Sequence, residues 1–341
     1  MVIRTLSFGS LMLVLSACGS SADSGSANSS ETPGTTTPSG TGDVGAAANP
    51  LPTIPGSTRF TFTLTSFPVA PSAEVYKCQD FPNPFGGADV AILQSQSVMS
   101  KGSHHMFAYK LAPTDASPAN LGADGAPGPL VDCPAGGLEF HPFFHTSQTP
   151  VQVNTYPAGV GRALNGTDNV RLQVHYINTT TETITAAMTV TIDTVAPTAV
   201  KFLAAELFVN AVGVSVPPGA STQTWSTTLP QDINLIGAGG HMHSRGTHFE
   251  AGTAPSLAAT NWTHLYSTDT WDEPQAVGFD PPMQLAAGDV IKYSCSYSNS
   301  TSNTLTFGES AAKNEMCIFS GTYYPAPGGA GIYANLFTPD Q

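Results

Sequence analysis

Apolar residues recurring at every second position limit what this chain can fold into more than any other feature. Phe60, Phe62 and Leu64 alternate with Thr61, Thr63 and Thr65; far downstream Ile291, Tyr293, Cys295 and Tyr297 recur with the same period. Successive side chains of a strand point to opposite faces, so each stretch reads as a strand with one face in a core. Met188, Val190 and Ile192 repeat the pattern against Thr189, Thr191 and Asp193. The 33 Gly and 28 Pro among 341 residues interrupt the chain at short intervals, and no long amphipathic helix is evident. The expected fold class is therefore all-β: two tandem antiparallel β-sandwich domains, residues 56–197 and 198–341, meeting near Val195-Ala196-Pro197.

The first 55 residues read differently. Arg4 precedes an apolar run from Leu6 to Leu15 that is too short to span a bilayer stably, and Leu15-Ser16-Ala17-Cys18 follows at once. The pattern resembles a bacterial lipobox, which implies a signal peptide over 1–17 and lipid on Cys18; the alternative is an ordinary secretory signal. Gly19 and Ser20 after the cysteine favour the outer membrane by the same resemblance. Residues 18–55 are rich in Ser, Gly, Thr, Ala and Pro, so they cannot build a core and are expected to be a disordered tether.

A formal charge of −13 argues against nucleic acid as a partner, because such a chain repels phosphate. Setting Cys18 aside leaves Cys78, Cys133, Cys295 and Cys317, an even number that in an exported chain favours disulfides. Of three connectivities, Cys78–Cys133 and Cys295–Cys317 are preferred, since each stays within one half and encloses one candidate ligand element. Thiolate metal ligation is the competing reading, although no Cys-x-x-Cys spacing is present.

Those ligand elements are histidines and a methionine. His241 and His243 fall on one face of a strand, about 7 Å apart along the backbone, a spacing that suits two imidazoles on one metal. His104 and His105 are consecutive, so both reach one metal only if the backbone bends, and Lys101-Gly102-Ser103 is placed to supply the bend. Val170, Leu172, Val174 and Tyr176 share one face of a strand, which turns Arg171, Gln173 and His175 away from the core. His141 and His145 flank Pro142, which disrupts regular geometry between them; neither is expected to be a primary ligand, and a plain structural role is preferred to a place in a loop beside a substrate cleft.

Taken together, these motifs make the chain resemble the copper type II, ascorbate-dependent monooxygenases, the group of peptidylglycine α-hydroxylating monooxygenase and dopamine β-monooxygenase. The resemblance rests on His104-His105-Met106, Leu172-Gln173-Val174-His175-Tyr176, His241-Met242-His243, Trp271-Asp272-Glu273-Pro274-Gln275, Gly288-Asp289, Tyr293-Ser294-Cys295-Ser296-Tyr297 and Glu315-Met316-Cys317, followed by Tyr323-Tyr324. It implies jelly-roll-like sandwiches with two copper ions facing each other across a solvent-filled cleft between the domains. His104, His105 and His175 would hold an electron-transfer copper, and His241, His243 and Met316 a catalytic copper that meets dioxygen. Gln173 would order water or substrate between them. The implied reaction is hydroxylation of a C–H bond of a small molecule by O2 with an external, ascorbate-like reductant. The alternative is a non-catalytic copper-binding or copper-delivery lipoprotein on the same scaffold.

Three departures bear on substrate. Peptide-amidating members carry an Arg two positions before the first histidine of His-x-His, an Asn directly after Met-Cys, and a Tyr two residues later. Here those positions are Gly239, Ile318 and Ser320. Without the guanidinium, which binds a carboxylate through two hydrogen bonds, a peptide C-terminus is not the expected substrate.

Overall fold

The architecture is that of a computed structural model. It describes residues 50–115, 119–133 and 141–340. The expected signal peptide, Cys18 and the tether as far as residue 49 lie outside the described residues. The far end of the expected tether lies within them and is corrected. Leu51 is buried, its carbonyl accepts a hydrogen bond from Arg59 Nη1 at 2.7 Å, and Ile54 N donates to Asp193 Oδ2 at 3.3 Å. Capture of these backbone groups by the Arg59–Asp193 ion pair fixes a stretch whose composition alone reads as featureless.

The described elements are strands, apart from single 3-10 turns at Ala123–Gly125, Pro197–Ala199 and Pro327–Gly329. The second of these turns falls at the expected junction. A five-stranded sheet runs in the order Val131–Asp132, Glu74–Phe81, Asn169–Ile177, Ser103–Leu111, Phe143–Ser147. A four-stranded sheet in the second half runs Gly219–Thr228, Val290–Asn299, Gly246–Ala254, Thr263–Thr268. Both halves contribute to a ten-stranded sheet. Its main path begins with Thr58–Thr63, Met188–Val195, Val90–Met99 and Val160–Leu164, and continues through Phe202–Asn210, Cys317–Tyr324, Ile233–Met242 and Val277–Leu285.

The alternation places the cores. Phe62, Leu64, Val170, Leu172, Val174, Tyr176, Met188, Val190 and Ile192 meet in one apolar cluster. Ile291, Tyr293, Cys295 and Tyr297 join Trp225 and Phe249 in another. Cores of this kind, one per half, are what two packed sheets with one apolar face each produce.

Antiparallel pairing dominates among the described strands, as the turn-rich sequence implies; two strand pairs and the isolated bridge Phe307–Glu315 are parallel. Ile332–Asn335 runs parallel to Phe202–Asn210, and so does Val160–Leu164. The second pairing stitches the halves into one sheet, with Phe202 opposite Val160 and Ala204 opposite Arg162. Arg162 and Glu206 form a buried ion pair at this seam, and Arg162 Nη2 also donates to the Phe143 carbonyl. A third apolar cluster of Tyr109, Phe143, Phe208, Met316 and Ile318 packs the two halves against each other.

The cysteines pair as Cys78–Cys133 and Cys295–Cys317, with Cα separations of 4.9 and 6.0 Å. The thiolate alternative therefore falls. The first bridge fastens Glu74–Phe81 beside Val131–Asp132; the second ties the strand after Met316 to the core strand Val290–Asn299.

Candidate metal centre

The bend that consecutive histidines require is present as a β-bulge. His105 lies opposite His175, but the next step along the partner strand pairs Tyr176 with Ser103, leaving His104 as the extra residue. The extra residue re-aims one side chain, so His104 and His105 both reach His175, with ring centroids 5.0 and 4.9 Å from it. Gly102 enters the bulge with φ of +91°, and a Cβ there would strike Ile184 Cδ1 at 2.4 Å, so the approach needs glycine.

His241 lies near the end of the strand Ile233–Met242, opposite Ile318 on Cys317–Tyr324. Met242 points into the second core, which puts His241 and His243 on the other side, their centroids 5.1 Å apart. Past the strand end, Glu315 holds the backbone: its carboxylate accepts from His243 N at 3.1 Å and Arg245 N at 2.8 Å. Burial pushes the Glu315 carboxyl up to about 7, against the pull of these backbone donors. Met316 directly precedes the neighbouring strand; it is buried and lines the same cavity as His105 and His241.

The resemblance implies two groups of ligands on opposite walls of an open cleft, and here the structure differs. His104 is 5.4 Å from His241 and 6.0 Å from His243, and His105 is 5.5 Å from His241. Ligand nitrogens of His104, His105 and His241 all lie within 4.8 Å of one another. The five imidazoles thus form one cluster across the seam. The cause is the apolar packing around Met316 and Ile318, which brings the second half down onto the outward face of the His175 strand. What remains between the halves at this point is a cavity of about 50 Å³, lined on its apolar side by Phe107, Tyr109, Phe208 and Ile318.

The donor set fits a metal. Buried polar atoms without a partner are costly and uncommon, yet His104 Nε2, His105 Nδ1, His175 Nδ1 and His243 Nε2 are all buried and unpartnered. On three histidines the other ring nitrogen is held: His175 Nε2 by Glu74 Oε1 at 3.0 Å, His243 Nδ1 by the Asn314 carbonyl at 3.2 Å, and His241 Nδ1 by Gln148 Oε1. A histidine whose outer N–H is so engaged offers its remaining nitrogen as a lone-pair donor. Burial lowers the pKa of all five, to about 4 for His104 and about 3 for His243, so they are neutral and able to ligate at physiological pH.

All six proposed ligand residues border this region. Gln173 lines the cavity with its carbonyl oxygen accepting from Tyr109 Oη at 3.2 Å. Covered by the second half, it is a buried residue. His145 belongs to the strand Phe143–Ser147, which begins directly after Pro142, and it is buried away from the cluster. Sequence reasoning overlooked Glu74, Tyr76 and Gln148. Tyr76 stacks on His175 at 3.9 Å between centroids, and it sits directly opposite His175 on the adjacent strand. Nothing local in the sequence marks Glu74 or Gln148.

Comparison with known families gives a match in the second half. Residues 218–330 match the model of the copper type II ascorbate-dependent monooxygenase C-terminal domain. The region includes His241, His243 and Met316. The second half of the chain is thus similar to that family's C-terminal domain. A search of curated proteins finds no match. Among solved structures, a chain from the triple jelly roll fold and turret assembly of an archaeal virus is 9% identical, with a TM-score of 0.20 over 83% of this chain; the chain spans 62% of that one. The structures of infectious bursal disease virus Gx strain and of its VP2 subviral particle are 10% and 12% identical, with TM-scores of 0.16 and 0.17. They are covered over 82% and 85% of their length, by 80% and 83% of this chain. Likeness at that level carries no argument.

Proposed function

We propose that this protein is a two-copper monooxygenase that hydroxylates a C–H bond of a small molecule, taking O2 as oxidant and electrons from an external, ascorbate-like reductant. The observation that carries the reading is the convergence of five neutral histidines, four with buried unpartnered nitrogens, beside Met316 in a chain whose second half matches that family's C-terminal domain. In this reading His104, His105 and His175 hold the electron-transfer copper, and His241, His243 and Met316 the catalytic one. Copper bound there supplies one-electron transfer and activation of dioxygen. Imidazole suits both oxidation states, and the thioether of Met316 favours the cuprous state. Gln148 fixes the His241 ring, Glu315 fixes the turn at His243, and the aromatic wall keeps bulk water from the reacting centre.

Substrate recognition departs from the peptide-amidating pattern. Gly239 and Ser320 lie opposite each other on neighbouring strands and line a second groove of about 360 Å³ on the far side of Gln148. A side chain with a cationic head at position 239 would project into this space; glycine leaves it open. The reading therefore takes a substrate not anchored by a carboxylate at that position. Two domains at about 56–197 and 198–341 and lipid on Cys18 complete it, placing the enzyme on the outer membrane of a bacterium, facing the periplasm or the exterior.

The test is to load the chain with copper and incubate it with reductant, 18O2 and a panel of metabolites, reading label in products by mass spectrometry. One labelled oxygen atom per product is expected. Two coppers bound with oxygen use no faster than buffer, across several reductants, would instead make this a copper-binding or copper-delivery protein.

A further inference from the structure

The outer partners of the histidines have an arrangement that the ligand set alone does not require: two of them bridge the halves. Glu74 belongs to the first half, yet its carboxylate serves both. Oε1 accepts from His175 Nε2 at 3.0 Å and from Ala311 N at 2.8 Å, and Oε2 accepts from Ser310 Oγ at 2.8 Å. Ser310 and Ala311 lie in the loop leading to Glu315 and Met316. Tyr76, stacked on His175, donates to the Glu309 carbonyl of the same loop at 2.5 Å. Gln148 makes the reverse connection. Standing in the bend between Phe143–Ser147 and Val151–Thr155 of the first half, it accepts from His241 Nδ1 and donates through Nε2 to the Gly240 carbonyl at 2.9 Å.

We propose that Glu74 and Gln148 are positioning residues through which contact between the halves sets the ligand geometry of both histidine groups. Each decides which ring nitrogen of its histidine faces inward. Glu74 holds the N–H of His175 at Nε2, leaving Nδ1 as the donor; Gln148 holds the N–H of His241 at Nδ1, leaving Nε2. Because Gln148 and His241 belong to different halves, the ring of His241 is fixed only while the halves touch. Because Glu74 also binds the loop before Met316, separating the halves strips the His175 partner of its hydrogen bonds from Ser310 and Ala311 and leaves it that of Tyr76 Oη at 3.2 Å. Carboxylate and amide differ in one respect. The charge of Glu74 makes the imidazole a stronger donor and favours the cupric state of a bound copper, whereas Gln148 supplies orientation alone.

This inference rests on the copper reading above, and its test separates the two. Wild type, Glu74→Ala, Glu74→Gln and Gln148→Ala, each as the full chain, are titrated with copper and followed by electron paramagnetic resonance. In the reduced state X-ray absorption reports the Met316 sulfur, which only the second group carries. Small-angle scattering reads the separation of the halves. Glu74→Ala is expected to weaken the all-histidine site about 10–100-fold and to enlarge the particle. Glu74→Gln, which keeps an acceptor without the charge, restores compactness while raising the midpoint potential of that site. Gln148→Ala is expected to weaken the sulfur-containing site by a similar factor and spare the other. Should Glu74→Ala fail to fold, Glu74→Gln carries the test through its potential. Variants that bind two coppers with wild-type affinity, potential and spectra overturn the proposal, as do losses that fall equally on both sites in proportion to lost thermal stability. A wild type that binds no copper overturns the copper reading and this inference with it.

Discussion

The two halves bring histidines together by opposite devices. The first inserts a residue into a paired ladder, so that His104 and His105 leave the sheet on the same side and meet His175 on the adjacent strand. All three histidines then sit within one hydrogen-bonded sheet. The second half has its bulge farther back, between Leu235 and Gly237, keeps the strand in register from there to Met242, and uses positions two apart, with His243 just past the end of the strand Ile233–Met242 and Met316 just before the start of Cys317–Tyr324. These ligands sit where the ladder ends and a loop begins. A bulge locked between paired strands resists rearrangement, whereas a strand end held by one buried glutamate can adjust its ligands. In the proposed reaction the first suits a site that only passes electrons, and the second a site that admits a molecule.

The comparison is broken most directly by removing one ligand from each half. His241→Ala is expected to drop labelled-product formation to the buffer rate while the chain keeps one copper. His175→Ala is expected to do the same while keeping the copper–sulfur signal of Met316. Copper analysis and X-ray absorption on the two variants check this. If either substitution removes both ions, the rings packed 5.4 to 6.0 Å apart across the seam act as one site, and the halves are not separate centres.

Disulfides sharpen the same contrast. Bridging residues 55 apart restricts the unfolded chain more than bridging residues 22 apart. Loop-closure entropy alone predicts a loss of about 4 kcal/mol for Cys78→Ala/Cys133→Ala and about 3 kcal/mol for Cys295→Ala/Cys317→Ala. Packing pulls the other way, because Cys295 and Cys317 are fully enclosed in the second core whereas Cys133 lies at the edge of its sheet. Denaturant unfolding of the two double variants decides which effect wins. A larger loss for the first pair favours chain entropy; a larger loss for the second means that the bridge works as core.

Most of this geometry could be read from the chain because it is local. The period of two that turns Val170, Leu172, Val174 and Tyr176 inward turns His175 outward, and consecutive histidines at 104 and 105 imply a bulge wherever both are used. The expected cysteine pairing also matches. What escaped is set by contacts between residues far apart in sequence. Glu74 lies 237 positions from Ala311 and Gln148 lies 93 from His241, so no periodicity connects them. The parallel pairing of Val160–Leu164 with Phe202–Asn210 depends on how two sandwiches dock, and each strand alone reads as an ordinary antiparallel partner. The closeness of the histidine groups follows from that docking. Leu51 was hidden for another reason: one apolar residue in a polar tract carries little signal until Arg59 and Asp193 are seen to hold its backbone.

The smallest expected effect concerns a histidine outside the cluster. His145 in the first half is buried, its Nδ1 within hydrogen-bonding distance of Ser95 Oγ at 2.8 Å and Asn154 Nδ2 at 3.1 Å, and its Nε2 is unpartnered. A histidine of the second half, His248, is partly exposed beside Asp269 at 2.7 Å. Burial, helped by the charge of Arg162, pushes the His145 imidazole down to about 3. Its unfolded value is about 6.5. Below pH 6.5 the unfolded chain therefore binds a proton that the folded chain refuses, so the stability that neutral His145 permits is complete above pH 6.5 and drains away as the pH falls toward 3. At pH 5 the loss from this one group is roughly 2 kcal/mol. Urea unfolding of the metal-free chain between pH 7.5 and 5 measures it, against His145→Gln, which cannot take up the proton. The variant starts less stable, because an amide fills the site imperfectly, but it should lose roughly 2 kcal/mol less than wild type over that interval. The slope, not the starting value, is the readout. Parallel curves would mean that the folded first half admits the proton, and that its sandwich is no more closed to acid than the exposed face that carries His248.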